Sequence, residues 1–395
     1  MGNIKKLVFD SRTVFLGKGA VRLLPEKMHE KGLKHAFVCT DHSLVDTEMF
    51  HGFIKILVDS GFATTIFDQI VPNPRAEDIM AGSAKFLESQ ADCVIGFGGG
   101  SVLDSTKAIA AVSCNEGDII EYNTHWPKRR FLKNKKYCTI CIPTTAGTGS
   151  EMDAISVIVN QDGHKVNVID PLLACNLAFI DPAMTYSCPP RVTASCGFDA
   201  MMHSFEAVMG NPDMFFDNVS MRGIKLVYDC LEGAYQNRAD YYKDRLMEAS
   251  VIGGFSMANE PADTLVPIHS IGLPLAEQYH LSHGQSLAAV APYVIDMIIE
   301  RTDPYAIAKI GRYCGIEEAN SYTCAKIFNI NLQMLIDHTD LALPDNLKAG
   351  QEEIRHLASQ AVKSGSTTKN GILSFDFDMC CHIYYMAFQH KRIVL

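Results

Sequence analysis

Short apolar runs alternate with longer stretches whose apolar positions recur at helical spacing through the first part of the chain. The runs His35–Thr40, Thr64–Phe67, Ala91–Phe97, Lys136–Ile142 and Leu177–Ile180 predict strands, and Ala20–Lys31, Ser43–Ser60, Ala76–Gln90 and Ser101–Val112 predict helices between them. That alternation specifies βα units around a mostly parallel sheet. From Asp181-Pro182 onward the β-branched bursts give way to helical periods at Phe198–Gly210, Phe216–Tyr235, Tyr241–Met257 and Ser286–Arg301. The second half therefore reads as all-helical. The pattern changes across Pro182–Pro190, with Cys188-Pro189-Pro190 as a rigid connector, so the expected units are an α/β domain over 1–184 and a helical domain over 185–395.

Composition narrows the function classes. At 395 residues the chain has room for two cores, and its net charge of −10 disfavours general attraction to nucleic acid or anionic lipid. No apolar run reaches membrane-span length, and Met1-Gly2-Asn3-Ile4-Lys5-Lys6 lacks the apolar core of a signal peptide. A cytoplasmic protein is expected. The 13 cysteines are scattered singly through apolar segments and read as reduced core thiols. Cys138 and Cys141 match a redox spacing, but positions three apart on a strand face opposite sides. The basic stretch Lys128-Arg129-Arg130 with Lys133, Lys135 and Lys136 reads as a solvated loop ahead of a strand.

Two loops carry ligand chemistry. The run Ala91–Phe97 empties into Gly98-Gly99-Gly100-Ser101, after which a helix begins. Consecutive glycines admit a diphosphate close to the backbone, and the helix start offers free N–H groups and a positive dipole end. Ser101 and Asp104 also fit a capping box, which is the purely structural account of the same turn. Asp118 and Glu121 lie near the usual distance for a ribose-binding acid but on no clear strand end. Asp41, at the end of the run His35–Thr40, is the better candidate, because a carboxylate there accepts from ribose hydroxyls and repels a 2′-phosphate. A second loop, Pro143-Thr144-Thr145-Ala146-Gly147-Thr148-Gly149-Ser150-Glu151, places hydroxyls at another strand's carboxyl end.

Asp199 and His203 lie four apart in a helical stretch, on one face and within reach of one ion, with Glu206 a further three residues on to support them or meet solvent. His269 and His283 complete a carboxylate-and-imidazole set only if the chain folds back between them, and Gly272, Pro274, Ser282 and Gly284 offer places to turn. His280 competes with His269 on spacing alone. Such a donor set suits Fe²⁺, Zn²⁺ or Mn²⁺.

With Val71-Pro72-Asn73-Pro74, Gly98–Lys107, Pro143–Glu151, Phe179-Ile180-Asp181-Pro182, Gly197–Glu206 and His283-Gly284 in this order, the chain resembles the iron-containing (group III) alcohol dehydrogenases. The resemblance implies an N-terminal dinucleotide-binding domain and a helical C-terminal domain, the dehydroquinate synthase-like arrangement. It makes Asp199, His203, His269 and His283 the metal ligands, preferring His269 over His280. Gly98, Gly99, Gly100 and Ser101 would hold the pyrophosphate of NAD(H), with Asn73, Thr144, Thr145, Thr148 and Lys165 around the dinucleotide and Asp41 excluding a 2′-phosphate. It also implies a homodimer or larger homo-oligomer. One departure stands out: many members carry another histidine four residues after the third ligand, where this chain has Leu273. Leucine moves no proton, which leaves that step to water, a ribose hydroxyl or His280.

The expected activity is reversible NAD(H)-linked reduction of a small aldehyde to a primary alcohol at the metal. An acidic aldehyde such as a sulfonated one is an alternative substrate. A lyase of the dehydroquinate-synthase type is the alternative reaction on the same fold, but it needs a cluster of cations that the motifs do not supply.

Overall fold

The computed structural model describes residues 11–124, 126–210, 214–259, 267–366 and 373–395, with backbone alone for 214–216, 365 and 366. The Met1–Lys6 stretch lies outside them. Contacts divide the chain into two compact units, Met1–Thr145 with Gly149–Ser187, and Ala146–Thr148 with Cys188–Leu395.

The first unit contains β1 (Thr13–Leu16), β2 (His35–Asp41), β3 (Ala63–Ile70), β4 (Cys93–Gly98), β5 (Cys138–Pro143), β6 (Ile155–Val159), β7 (Lys165–Ile169) and β8 (Leu177–Ile180). Six of these form a sheet in the order β1-β8-β5-β4-β2-β3, every pairing parallel. Helices α1 (Leu24–Glu30), α2 (Glu48–Asp59), α3 (Ala76–Ser89) and α4 (Gly100–Val112) connect them. Alternate strand residues serve opposite cores. Phe37, Cys39 and Val94 pack with Ile79, Phe86 and Ile109, whereas Ala36, Val38, Ile95 and Phe97 pack with Leu24, Met28, Phe50 and Phe53. Strands buried on both sides read as continuous apolar runs, which is why the sequence pattern finds them.

The pattern does not find β1, a four-residue edge strand with both ends exposed, nor the antiparallel ribbon β6–β7. The ribbon's turn carries Asn160, whose Oδ1 accepts from the backbone N–H of Asp162 (3.0 Å) and His164 (2.9 Å), and Gly163 at φ +82°. The Asp162-Gly163 pair between β-branched runs was the available signal. Helix α2 begins five residues later than its apolar period suggests. Asp41 Oδ1 accepts from the N–H of Ser43 (2.9 Å) and Leu44 (3.2 Å), holding a turn, and Thr47 then caps the helix by accepting from Phe50 N–H at 3.2 Å.

The second unit is helical throughout its described residues: α5 (Pro190–Gly210), α6 (Met214–Tyr235), α7 (Asp240–Asn259), α8 (Ile268–Tyr279), α9 (His283–Arg301), α10 (Tyr305–Tyr313), α11 (Ser321–His338), α12 (Gln351–Ala361) and α13 (Phe377–Phe388). Pro190 opens α5, a position where a missing N–H costs nothing. Helix α5 is buried along most of its length and packs against α6, α7 and α9. Glycines set the approach: a Cβ on Gly223 of α6 would lie 2.4 Å from Ser204 Oγ, and one on Gly253 of α7 would lie 3.0 Å from Ala200 O. No helix among the described residues is long and apolar enough to cross a membrane. The basic stretch is tied to its own unit, with Arg129 donating to Ile169 O, Arg130 pairing with Glu121 at 3.3 Å and Lys135 donating to Ala174 O.

Candidate functional site

In the first unit the sheet order places β2 and β4 side by side while the chain leaves them in opposite directions, a topological switch point at which parallel sheets bind ligands beyond their carboxyl ends. Asp41 ends β2 and Gly98 ends β4. A Cβ on Gly98 would lie 2.5 Å from Val102 Cγ2, so only glycine lets the first turn of α4 close onto the strand.

The capping box expected of Ser101 and Asp104 does not form. The cap residue of α4 is Gly99, and no side chain caps the helix. Its first turn is therefore left with N–H donors free of a side-chain cap, as an anion-binding helix start requires. A capping box does form at Asp118 and Glu121, which accounts for those two acids structurally. Asp104 instead accepts from Ser150 Oγ (2.5 Å) and from Val157 N–H (3.0 Å), fastening the β6–β7 ribbon to α4. Lys107, buried, donates to Asp153 at 2.7 Å and to Ser150 O at 2.9 Å in the same cluster. Sequence reading misses this pair. Its signal was a lysine three residues after Asp104 in a helix flanked by the apolar runs Val102-Leu103 and Ala108–Val112.

The other candidate dinucleotide contacts gather unevenly. Thr144 N–H donates to Gly98 O at 3.0 Å, and a Cβ on Gly99 would lie 3.2 Å from Thr145 Oγ1, so both threonines adjoin the glycine loop. Asn73, at φ +57°, donates its N–H to Ser101 Oγ at 3.4 Å. Lys165 opens β7 opposite Val159, whose N–H donates to Pro74 O at 2.8 Å beside Asn73. Thr148 falls in the segment 146–148 that packs with the second unit. There a Cβ on Gly147 would lie 2.8 Å from Cys196 Cβ.

In the second unit, α5 presents Asp199 and His203 one turn apart, α8 presents His269 and α9 presents His283. Asp199 Oδ1 lies 3.5 Å from His203 Nε2, 3.4 Å from His269 Nε2 and 3.4 Å from His283 Nε2. The His203 and His269 rings stack at 4.8 Å between centroids. No well-formed hydrogen bond reaches Asp199 Oδ1 or His269 Nε2, although both are buried. Donors about 2.1 Å from one tetrahedral ion sit about 3.4 Å from each other. Asp199, His203 and His269 offer ligand atoms within 4.8 Å of one another and could together hold a metal ion, and His283 reaches Asp199 Oδ1 from α9.

Of the four residues expected to turn the chain between His269 and His283, only Ser282 lies in the turn. Gly272 and Pro274 lie inside α8, and Gly284 lies inside α9; the turn is His280–Ser282, with His280 at φ +53°. His280 is exposed at the helix end and is not joined to the four by any described contact. Gly284 serves close packing instead. A Cβ there would lie 1.8 Å from Ser195 O, so its absence lets α9 touch α5 and carries His283 to Asp199.

Charge in this centre is strongly organised. Burial disfavours an ionised Asp199, yet the His203, His283 and His269 rings outweigh it and hold the carboxyl below the usual range. Burial lowers the His203 pKa against the pull of Asp199. Burial also opposes a charged His269, but Glu206 and Asp199 prevail and raise it to about 10. Two buried carboxylates, Asp199 and Glu206, thus face the His269 ring, one at each nitrogen.

Family models decide where the chain as a whole belongs. Residues 11–182 match iron-containing alcohol dehydrogenase, and residues 193–379 match the C-terminal domain of the Fe-containing alcohol dehydrogenase family. The chain belongs to the iron-containing alcohol dehydrogenase family. As a member of that family it is an oxidoreductase. It is 33% identical over 298 residues to long-chain-alcohol dehydrogenase 1 of Geobacillus thermodenitrificans, covering 75% of this chain and 74% of that one. Among solved structures, a 1,3-propanediol oxidoreductase superposes with a TM-score of 0.88 at 24% identity, over 96% of this chain and all of the other (100%). The sulfoacetaldehyde reductase of Bifidobacterium kashiwanohense, solved with NAD⁺, gives 0.87 at 23% identity, over 99% and 100%. At those identities the likeness establishes the fold, an α/β domain on a parallel sheet plus a helical domain.

Proposed function

We propose that this protein is an NAD(H)-dependent, metal-dependent alcohol dehydrogenase and aldehyde reductase that interconverts a small aldehyde and a primary alcohol. The observation that carries the reading is the convergence of three imidazole Nε2 atoms on Asp199 Oδ1 at 3.4–3.5 Å. Asp199, His203, His269 and His283 are the proposed ligands, and residues 1–184 and 185–395 the proposed nucleotide-binding and metal-binding domains. When bound, iron supplies Lewis acidity toward a carbonyl oxygen and NAD(H) supplies or accepts the hydride. The uncapped first turn of α4 and the Gly98-Gly99-Gly100-Ser101 backbone bind the diphosphate, with Asn73, Thr144, Thr145, Thr148 and Lys165 about the remainder. Leu273 lies one helical turn beyond His269 on the same face of α8 and holds no proton. Water, a ribose hydroxyl of the nucleotide or His280 completes the proton balance.

The relatives' names span a long-chain alcohol, 1,3-propanediol and sulfoacetaldehyde, so the proposal extends to an aldehyde and alcohol pair rather than to one substrate. The test is to load the protein with Fe²⁺ without oxygen and follow NADH absorbance with a panel of neutral and sulfonated aldehydes. NADH consumption with at least one aldehyde is expected. None with any member of the panel sinks the proposal.

Asp41 carries a second expectation. Removing its charge with Asp41→Gly should raise activity with NADPH relative to NADH by roughly tenfold, the scale of one exposed like-charge contact. Paired kcat/KM measurements check it, and an unchanged ratio rejects the assignment.

A further inference from the structure

Glu206 lies on α5 seven positions after Asp199, two turns along the same face, and is fully buried. Both of its oxygens go to one residue. Oε1 accepts the backbone N–H of His269 at 3.2 Å, and Oε2 is hydrogen-bonded to His269 Nδ1. The backbone group can only donate, and a carboxylate can only accept, so Nδ1 must carry the ring hydrogen. The lone pair is then left on Nε2, the atom 3.4 Å from Asp199 Oδ1. His203 Nδ1 has no such partner among the described residues.

We propose that Glu206 is a positioning residue: by gripping His269 at both its backbone and its ring, it fixes the Nδ1–H tautomer and holds the Nε2 lone pair toward the metal. This rests on His269 being a ligand, as proposed for the site. The consequence distinguishes Glu206 from a merely space-filling acid. A glutamine has the same shape but one accepting and one donating edge. If its oxygen serves the backbone N–H, its amide donates to Nδ1, and the ring hydrogen moves to Nε2, where it blocks coordination. If its oxygen serves Nδ1, two donors face each other. Either way the isosteric replacement fails where a structural role would tolerate it.

The experiment measures Fe²⁺ and Zn²⁺ affinity by competition with a chromophoric chelator for wild type, Glu206→Gln, Glu206→Ala and His269→Ala, with circular dichroism of each. Removing such a partner typically costs 10–100-fold in metal affinity. Glu206→Gln should lose about that much, and no less than Glu206→Ala. In parallel, NMR of ¹⁵N-histidine-labelled, Zn²⁺-loaded protein should show His269 with hydrogen on Nδ1 and metal on Nε2 in wild type, and loss of that metal-bound Nε2 signal in Glu206→Gln. If His269→Ala binds metal as wild type does, the ligand assignment fails. If His269→Ala loses metal while folded Glu206→Gln retains it, the positioning role alone is overturned. Should Glu206→Gln not fold, a Zn²⁺-loaded wild type in which His269 carries no hydrogen on Nδ1 overturns the proposal without any variant.

Discussion

Asp199→Ala should reduce aldehyde-dependent NADH turnover by about 10³-fold or more, since metal assistance is worth several kcal/mol and each ~1.4 kcal/mol is a factor of ten. The reason lies in the geometry: Asp199 Oδ1 is the point shared by all three imidazoles, so its loss removes the sole anionic donor of the set. A companion measurement separates metal loss from unfolding. In wild type, Fe²⁺ at about 1,000 times its Kd should stabilise the native state by about 4 kcal/mol through mass action. Asp199→Ala should show no such rise in Tm while keeping the wild-type far-ultraviolet spectrum. A variant that retains stoichiometric metal and turnover would remove Asp199 from the ligand set.

Gly284→Ala is expected to be the most destabilising single-methyl change in the helical unit. Its Cβ would meet Ser195 O at 1.8 Å, and because that atom is backbone, no rotamer change relieves the clash. Overpacking of this kind costs about 1–3 kcal/mol and at times more; a backbone-to-backbone clash belongs at or above the upper end. The displacement also falls on His283, the neighbouring residue, so metal content should drop with stability. Ser195→Ala is the control at the same contact. It loses only the 3.1 Å hydrogen bond that Gly284 N–H donates to Ser195 Oγ, worth about 1 kcal/mol. Urea unfolding and metal analysis of both variants give the comparison. Equal stabilities would mean that α9 can slide on α5 without consequence.

The parallel sheet was legible because strands such as Cys93–Gly98 are buried on both faces and leave an uninterrupted apolar trace. The edge strand Thr13–Leu16 leaves no such trace. The site was legible only in parts that local spacing determines. Asp199 and His203 follow from one helical turn, and Glu206 was open to the same reasoning, since seven residues return to the same face. The choice between His269 and His280 was not local. It depends on α8 running to Tyr279 through Pro274, with the reversal delayed to His280, and a proline in the middle of the segment pointed the other way. Gly284 illustrates the same limit. A glycine beside a ligand suggests a bend, whereas its role is to bring two backbones into contact, and that depends on a partner 89 residues away.

Asp41 serves two ends at once. One of its oxygens organises the 41–44 turn that leads into α2, so under the proposed assignment a single carboxylate both shapes the chain and screens the nucleotide. Engineering a change of nucleotide preference by deleting the side chain would loosen that bend as well. Asp41→Asn keeps an oxygen for Ser43 and Leu44 while discarding the charge, which makes it the substitution through which discrimination can be altered without surrendering the local architecture.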